Sequence, residues 1–392
     1  MNIVHLITTL DIGGAEMHVL AQVRGQVERG HRVRVAYLKG DGRLSDDFKT
    51  AGAEAVARIG LGPSGLWRLW QHLRWADIVH THLLKADIFG AIAATLAGRR
   101  ANLIASKHND EAILLRPLVR QIHGCIGRLP RRTIVLSDHV GRFIAEHGRV
   151  PLARQRRIYY GLDPRPFELA AAMSPAERTG VRAEFGFGSQ DVVFICVARF
   201  AAQKAHDVLL RGFAAALKSR ASGDPQLRLL LVGDDPFGSG RVRAESLARE
   251  LDLGGSVHFA GLRRDVPRLV GASDVFVMTS LWEGLGLVFL EAMAASRAVL
   301  ATGVSAVPEV VVDGETGVLI PPRESAPVAE AMLRLARDAD LRERLGIQGH
   351  RRVVERFALA RMVEETLEVY GDHARRPPAA GDRIKIGFQA GR

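Results

Sequence analysis

Four ionisable side chains in the second half of the chain could do chemistry together. Glu283 and Glu291 lie eight positions apart in Ser280-Leu-Trp-Glu-Gly-Leu-Gly-Leu-Val-Phe-Leu-Glu-Ala-Met-Ala294. An apolar run, Asp274-Val-Phe-Val-Met278, precedes them and is short enough to be a buried strand. Glycines 284 and 286 loosen the chain, and a helix-forming sequence starts near Leu287. A strand–loop–helix of this kind leaves amides near Gly286 and Leu287 free at the positive end of the helix dipole, where phosphate binds. Eight helical positions would span roughly 12 Å, about the separation of two sugar rings joined through a diphosphate. Carboxylates beside an anionic ligand are costly unless they accept from hydroxyls. The pattern therefore fits a nucleotide sugar, with hydroxyls at both ends of a diphosphate. A surface loop followed by a helix with solvated glutamates fits the same residues.

Arg199 and Lys204 are the cationic counterparts. Val197-Ala-Arg-Phe-Ala-Ala-Gln-Lys-Ala-His206 places Arg at a strand end and Lys at the following helix start. Both could reach a diphosphate, Arg as a bidentate fork and Lys as a point charge. Either alone would read as a solvated cation. Gly13-Gly14 follows the first strand at a turn where backbone can approach a ligand closely, although any tight turn can carry two glycines. The three-glycine dinucleotide fingerprint is missing, which counts against a nicotinamide dehydrogenase.

These residues need rigid sheets behind them, and strand and helix patterns alternate along the chain. Strands are predicted at 2–8, 32–38, 77–80, 102–106 and 133–136, with helices at 15–28, 85–97, 112–126 and 138–146. Turn-rich sequence over 150–190 marks a boundary. The alternation restarts with strands at 191–197, 227–232, 256–259, 274–278 and 298–300, and helices fill 324–370. The expected fold class is α/β: two tandem Rossmann-like doubly wound domains with a cleft between them. Residues 1–165 form an acceptor-binding domain and 166–369 a nucleotide-sugar domain, with 370–392 packing back on the first. The Pro-, Gly- and Arg-rich tail from Ala374 reads as loose in part.

The Glu283–Glu291 stretch resembles the Glu-x7-Glu signature of retaining glycosyltransferases of family 4, with the GT-B fold. Arg199 and Lys204 resemble that family's Gly-Arg-Leu-x-x-x-Lys-Gly motif, with Ala198 and Ala205 where glycine is usual. Gly13-Gly-Ala-Glu16 is similar to its Gly-Gly-x-Glu element. Val232-Gly-Asp234, Phe259-Ala-Gly-Leu262, Ser305-Ala-Val-Pro-Glu309 and Gly314-Glu-Thr-Gly317 match in order and spacing. The resemblance implies a donor site of Gly13, Gly14, Arg199, Lys204, Gly286, Leu287 and Glu291, with Glu283 orienting donor-sugar hydroxyls. It also implies retention by same-face attack, since no protein nucleophile is evident.

Three histidines follow predicted strands and could face the cleft: His80, His82 and His108. Each reads equally as a partly buried histidine bonded to backbone. No Cys or Asp cluster accompanies the i, i+2 pair, so no metal is expected. By the resemblance His108 would contact the sugar near the reacting carbon, and His80 or His82 would line the acceptor pocket. Lys85 and Lys107 are candidates for an acceptor phosphate. No cofactor is expected beyond the donor itself.

Of 392 residues, 47% are apolar and 25% charged, as in soluble globular proteins. The net charge is +11. Residues 1–160 hold 24 Lys/Arg against 13 Asp/Glu, so the first domain carries the whole excess. That asymmetry suits an anionic partner such as a saccharide or lipid-linked acceptor at an acidic membrane surface; an arginine-rich surface without function would look the same. Arg116, Arg120, Arg128, Arg131 and Arg132 stand among aliphatic residues in a basic helical stretch, Leu114–Arg132, that Pro117 and Gly124 interrupt. Aromatics make up 6% and form no stacking motif, which argues against nucleic acid. Two cysteines need no disulfide framework. With no basic leader followed by a long apolar run, and no stretch long enough to span a membrane, a cytoplasmic protein is expected, peripheral on the inner membrane face if the arginines bind lipid. A nucleotide-sugar epimerase or hydrolase, and a non-catalytic carbohydrate- or lipid-binding protein, are the alternatives.

Overall fold

A computed structural model describes residues 1–235 and 238–374. Short buried runs of Val, Ile and Leu form two all-parallel sheets. The first contains β1 (Asn2–Ile7), β2 (Arg32–Tyr37), β3 (Ala55–Arg58), β4 (Ile78–His82), β5 (Leu103–Lys107), β6 (Arg132–Val135) and β7 (Gln155–Arg157), in the order 3-2-1-4-5-6-7. The second contains β8 (Val192–Val197), β9 (Leu227–Val232), β10 (Val257–Gly261), β11 (Val275–Met278), β12 (Ala298–Thr302) and β13 (Val318–Ile320), in the order 10-9-8-11-12-13. Both sheets reverse their order beside the first strand, and helices cover both faces, as parallel sheets require. The tandem doubly wound architecture is as expected.

Period two decides what each strand buries. On β1, Ile3 and Ile7 enter the core beneath the helix Gly14–Glu28, while Val4 and Leu6 enter the opposite layer. The edge strand β3 and the helices Ser45–Thr50 and Pro63–Trp75 escape sequence reading. Ala55–Arg58 is only half-buried and shows no contrast between its faces.

The chain crosses to the second domain through Tyr159–Leu162 and returns beside the same point. Leu162 N donates to Phe357 O at 2.8 Å, and Leu359 N donates to Leu162 O at 3.1 Å. The last helix, Leu359–Ala374, then lies on the first domain, placing Met362, Val363, Val369 and Tyr370 in that core. Val363 sits 2.5 Å from where a Cβ on Gly25 would be, so glycine makes room for it. Within the predicted 370–392 segment, and in the tail predicted as loose, residues 375–392 lie outside the described residues.

Candidate functional site

The site is built where two loops of the second domain meet a wall of the first. After β8 the chain passes Arg199 into a tight turn, Ala202–Lys204, and then into the helix His206–Lys218. Lys204 therefore precedes the helix instead of starting it. Ala205 links turn to helix at φ 45°, the left-handed region that glycine adopts with less strain than alanine. After β11, the second loop is stitched to the first: Leu281 N donates to Gln203 O at 2.7 Å, and Gln203 Nε2 donates to Trp282 O at 2.7 Å.

That stitching brings Lys204 Nζ to 2.5 Å from Glu283 Oε1, with both side chains nearly buried. The two residues form one ion pair. Lys204 Nζ also donates weakly to Met278 Sδ at 3.8 Å, which leaves its third N–H for another ligand. Arg199 is exposed, and among the described residues nothing pairs with its guanidinium. Its charge acts across the cleft on Glu16 of the first domain.

The helix Leu287–Ala294 starts at Gly286, whose φ of 84° only glycine adopts easily, and no side chain caps it. The residues from Glu283 to Gly286 are not helical, so the eight-position span holds for only part of the stretch. Glu291 is half-buried one turn further on and has no hydrogen-bond or ion-pair partner among the described residues. Burial pushes its carboxyl up to about 7. Such a carboxylate is an acceptor in want of hydroxyls.

From the first domain, the helix Gly14–Glu28 points its N-terminus at the cleft, and Gly14 is exposed there. Glu16 folds back over this start: a Cβ on Gly13 would lie 2.6 Å from Glu16 Oε2, and Thr9 Oγ1 donates to Glu16 Oε1 at 2.7 Å. The helix start thus already holds a carboxylate. Burial raises the Glu16 carboxyl, and the Thr9 hydroxyl offsets part of that rise.

His108 follows β5 directly, but its ring points inward. Its Nε2 lies 3.1 Å from His82 Nδ1, and its Nδ1 lies 3.0 Å from the Tyr160 hydroxyl. What His108 offers the cleft is its carbonyl, against which Gly284 packs. His80 and His82 do not follow β4 as the sequence suggested. They are the third and fifth residues of it, fully buried on the face beneath the helices. They line no acceptor pocket. The ligand atoms of His5, His80 and His82 lie within 4.8 Å of one another. However, all six ring nitrogens already have hydrogen-bond partners. Lys85 is exposed at the start of the helix Leu84–Leu96. Lys107 is buried, donates to Asp87 Oδ2 at 2.5 Å and touches His123, so it cannot reach an acceptor phosphate.

Sequence reading passed over the residues that close the two domains on each other. Glu309 accepts from the backbone N–H groups of Asp138 and His139, both at 2.8 Å, and from the Tyr159 hydroxyl at 3.2 Å. A second-domain carboxylate thus caps a first-domain helix, Asp138–Glu146. Ser137 Oγ donates to Gly284 O at 2.9 Å. Glu309 closes Ser305-Ala-Val-Pro-Glu309, but a lone Glu gives no sign that its partners lie in the other domain.

The basic stretch divides at Pro117. Pro117 begins the helix Pro117–Ile126 at its first position, where its missing N–H costs nothing. Arg116, Arg128, Arg131 and Arg132 fall outside that helix, and Arg120 within it.

Residues 12–165 match the family described as Glycosyltransferase Family 4, and residues 191–338 match Glycosyl transferases group 1. The D-inositol 3-phosphate glycosyltransferase of Saccharomonospora viridis is 33% identical over 401 residues, covering 92% of this chain and 90% of that protein. Among solved structures, Anabaena HepE in complex with UDP and glucose superposes with a TM-score of 0.84 at 22% identity, covering 95% of this chain and all of that one. WaaG, a glycosyltransferase involved in lipopolysaccharide biosynthesis, gives 0.70 at 18% identity, covering 94% and 99%.

Proposed function

The chain belongs to glycosyltransferase family 4 and is a glycosyltransferase of the GT-B fold, and we propose that it moves a sugar from a nucleotide-diphosphate sugar to a saccharide or lipid-linked acceptor with retention of anomeric configuration. The single observation that carries this reading is the Lys204–Glu283 pair, in loops that also carry the exposed Arg199 and the uncapped helix start at Gly286.

Arg199 and the spare donor of Lys204 hold the diphosphate and neutralise the charge that grows on it as the sugar leaves. The amides near Gly286 and Leu287 assist. Glu283, fixed by Lys204, orients donor-sugar hydroxyls. Glu291 accepts from the ribose hydroxyls. In this reading the cationic side chains and amides do the work a metal cation would do on the leaving diphosphate. The acceptor enters over the first domain and attacks from the face the diphosphate leaves. HepE was solved with UDP-glucose, which supports a nucleotide sugar as donor.

A lipid-linked acceptor is supported by the surface of the first domain. The contacting helices Pro63–Trp75, Leu84–Leu96 and Pro117–Ile126 leave Trp67, Ile92, Leu96, Leu118 and Ile122 exposed among arginines. No helix among the described residues is long and apolar enough to cross a membrane. A peripheral place on the inner membrane face, in cell-envelope polysaccharide or glycolipid synthesis, follows from this reading. Replacing Glu283 by Ala is expected to abolish transfer with the fold intact. Normal turnover in Glu283→Ala refutes the assignment, and product formed without any acceptor would indicate a hydrolase or epimerase instead.

A further inference from the structure

A row of buried rings runs from behind the first sheet to the cleft. Gln26 presents Oε1 to His5 Nε2 at 2.9 Å. His5 Nδ1 lies 2.9 Å from His82 Nε2, and His82 Nδ1 lies 3.1 Å from His108 Nε2. His108 Nδ1 ends the row 3.0 Å from the Tyr160 hydroxyl. All five side chains are buried.

A neutral imidazole has one donor nitrogen and one acceptor, and a carbonyl oxygen only accepts. Given the Gln26 carbonyl at one end, every proton in the row is determined. His5 carries its proton on Nε2, and its Nδ1 accepts from His82 Nε2–H. His82 Nδ1 then accepts from His108 Nε2–H. His108 Nδ1 is left to accept from the Tyr160 O–H. A side branch agrees: Gln26 Nε2 donates to the Tyr370 hydroxyl at 3.4 Å, which donates to His80 Nδ1 at 2.6 Å. His80 Nε2–H then donates to Ser106 Oγ at 2.7 Å.

We propose that Gln26 is a positioning residue whose amide carbonyl, acting through His5 and His82, holds the His108 proton on Nε2 and turns the Tyr160 hydroxyl proton away from the cleft, a role that rests on reading Glu283 as a donor-site residue. The rings stay neutral because burial lowers them, His5 to about 4 and His108 to about 3. Reversing the amide reverses each link. His108 Nδ1–H would donate to the Tyr160 oxygen, and the phenol proton would turn away from His108; burial first, and then the charges of Glu16 and Glu283, raise that hydroxyl. A carboxylate that accepts from Tyr160 has less to offer a sugar hydroxyl. Chains of buried hydrogen bonds polarise one another, so the direction is set collectively.

Nitrogen-15 NMR of the full chain, labelled at histidine and free of ligand, tests this. At neutral pH the expected spectrum shows His5, His80, His82 and His108 each as a single neutral tautomer protonated at Nε2. Gln26→Met removes the carbonyl at similar length, and His108 is expected to become a mixture of both tautomers. Gln26→Glu, whose carboxylate only accepts, is expected to keep the Nε2–H form. An Nδ1–H or doubly protonated His108 in the unaltered protein overturns the proposal even if the variants do not fold. So does a wild-type His108 pattern in Gln26→Met. No substrate enters the measurement, so it can fail while the transferase reading stands, and the reverse.

Discussion

The position a Cβ would take on Gly284 lies 2.0 Å from the main-chain oxygen of His108. The two domains therefore touch where the second presents no side chain. Real Cβ atoms do not approach backbone so closely, and backbone on both sides leaves little room to yield. Gly284→Ala is expected to force the loops apart and to destabilise the chain by about 1–3 kcal/mol. Thermal denaturation checks this, and an unchanged midpoint would mean that the domains separate freely at this contact.

Ala205 is the converse case. It is buried and holds φ 45° between the Lys204 turn and the following helix. A left-handed alanine costs roughly 1–2 kcal/mol, part of which glycine returns as unfolded-chain entropy. Ala205→Gly is expected to raise stability by up to about 1 kcal/mol, read as a higher denaturation midpoint with Lys204 still on Glu283.

Glu291 makes stability depend on pH. Its carboxyl is raised from 4.5 to about 7 by burial. Between those values the folded protein binds more protons than the unfolded chain, so stability falls as pH rises through the window and the full cost is present above it. Glu291→Gln is expected to stabilise the protein by on the order of 1–3 kcal/mol at pH 8 and hardly at all at pH 4. Denaturant titrations at the two pH values measure the difference. Because an ionised Glu291 is the better acceptor for ribose hydroxyls, nucleotide affinity should weaken as pH drops below about 7.

Exposed Leu118 and Ile122 stand beside Arg116 and Arg120 at the helix Pro117–Ile126. The protein is expected to sediment with vesicles containing phosphatidylserine and to leave them at high salt, since each basic residue near the surface is worth about 1 kcal/mol. Leu118→Glu with Ile122→Glu should abolish sedimentation. Equal binding to neutral vesicles would contradict an electrostatic contribution.

Much of this was readable in the residues. The parallel sheets announced themselves as short apolar runs between helical stretches. That Lys204 and Glu283 gather at one sheet edge was legible because both lie in loops that follow strands; that they pair with each other was not. His80 and His82 misled because the strand ends at His82, two residues past the predicted end at His80: histidine in a buried strand looks polar in sequence, yet here His80 is bonded to Tyr370 and Ser106, and His82 to His5 and His108. Of these partners, His5 lies 77 positions from His82 and Tyr370 lies 290 from His80. Pro117 read as a helix breaker because its position relative to the helix start was not known. The Glu309 cap spans two domains, and no local spacing reports it.

The most direct test is a thermal-shift series with UDP-, GDP- and ADP-glucose on the unaltered protein and on Arg199→Ala with Lys204→Ala. The account predicts that one of the three nucleotide sugars raises the denaturation midpoint of the unaltered protein, because a ligand that binds only the native form stabilises it, and that the double variant loses that rise. A rise of the same size in the double variant, or none with any nucleotide sugar, would contradict it.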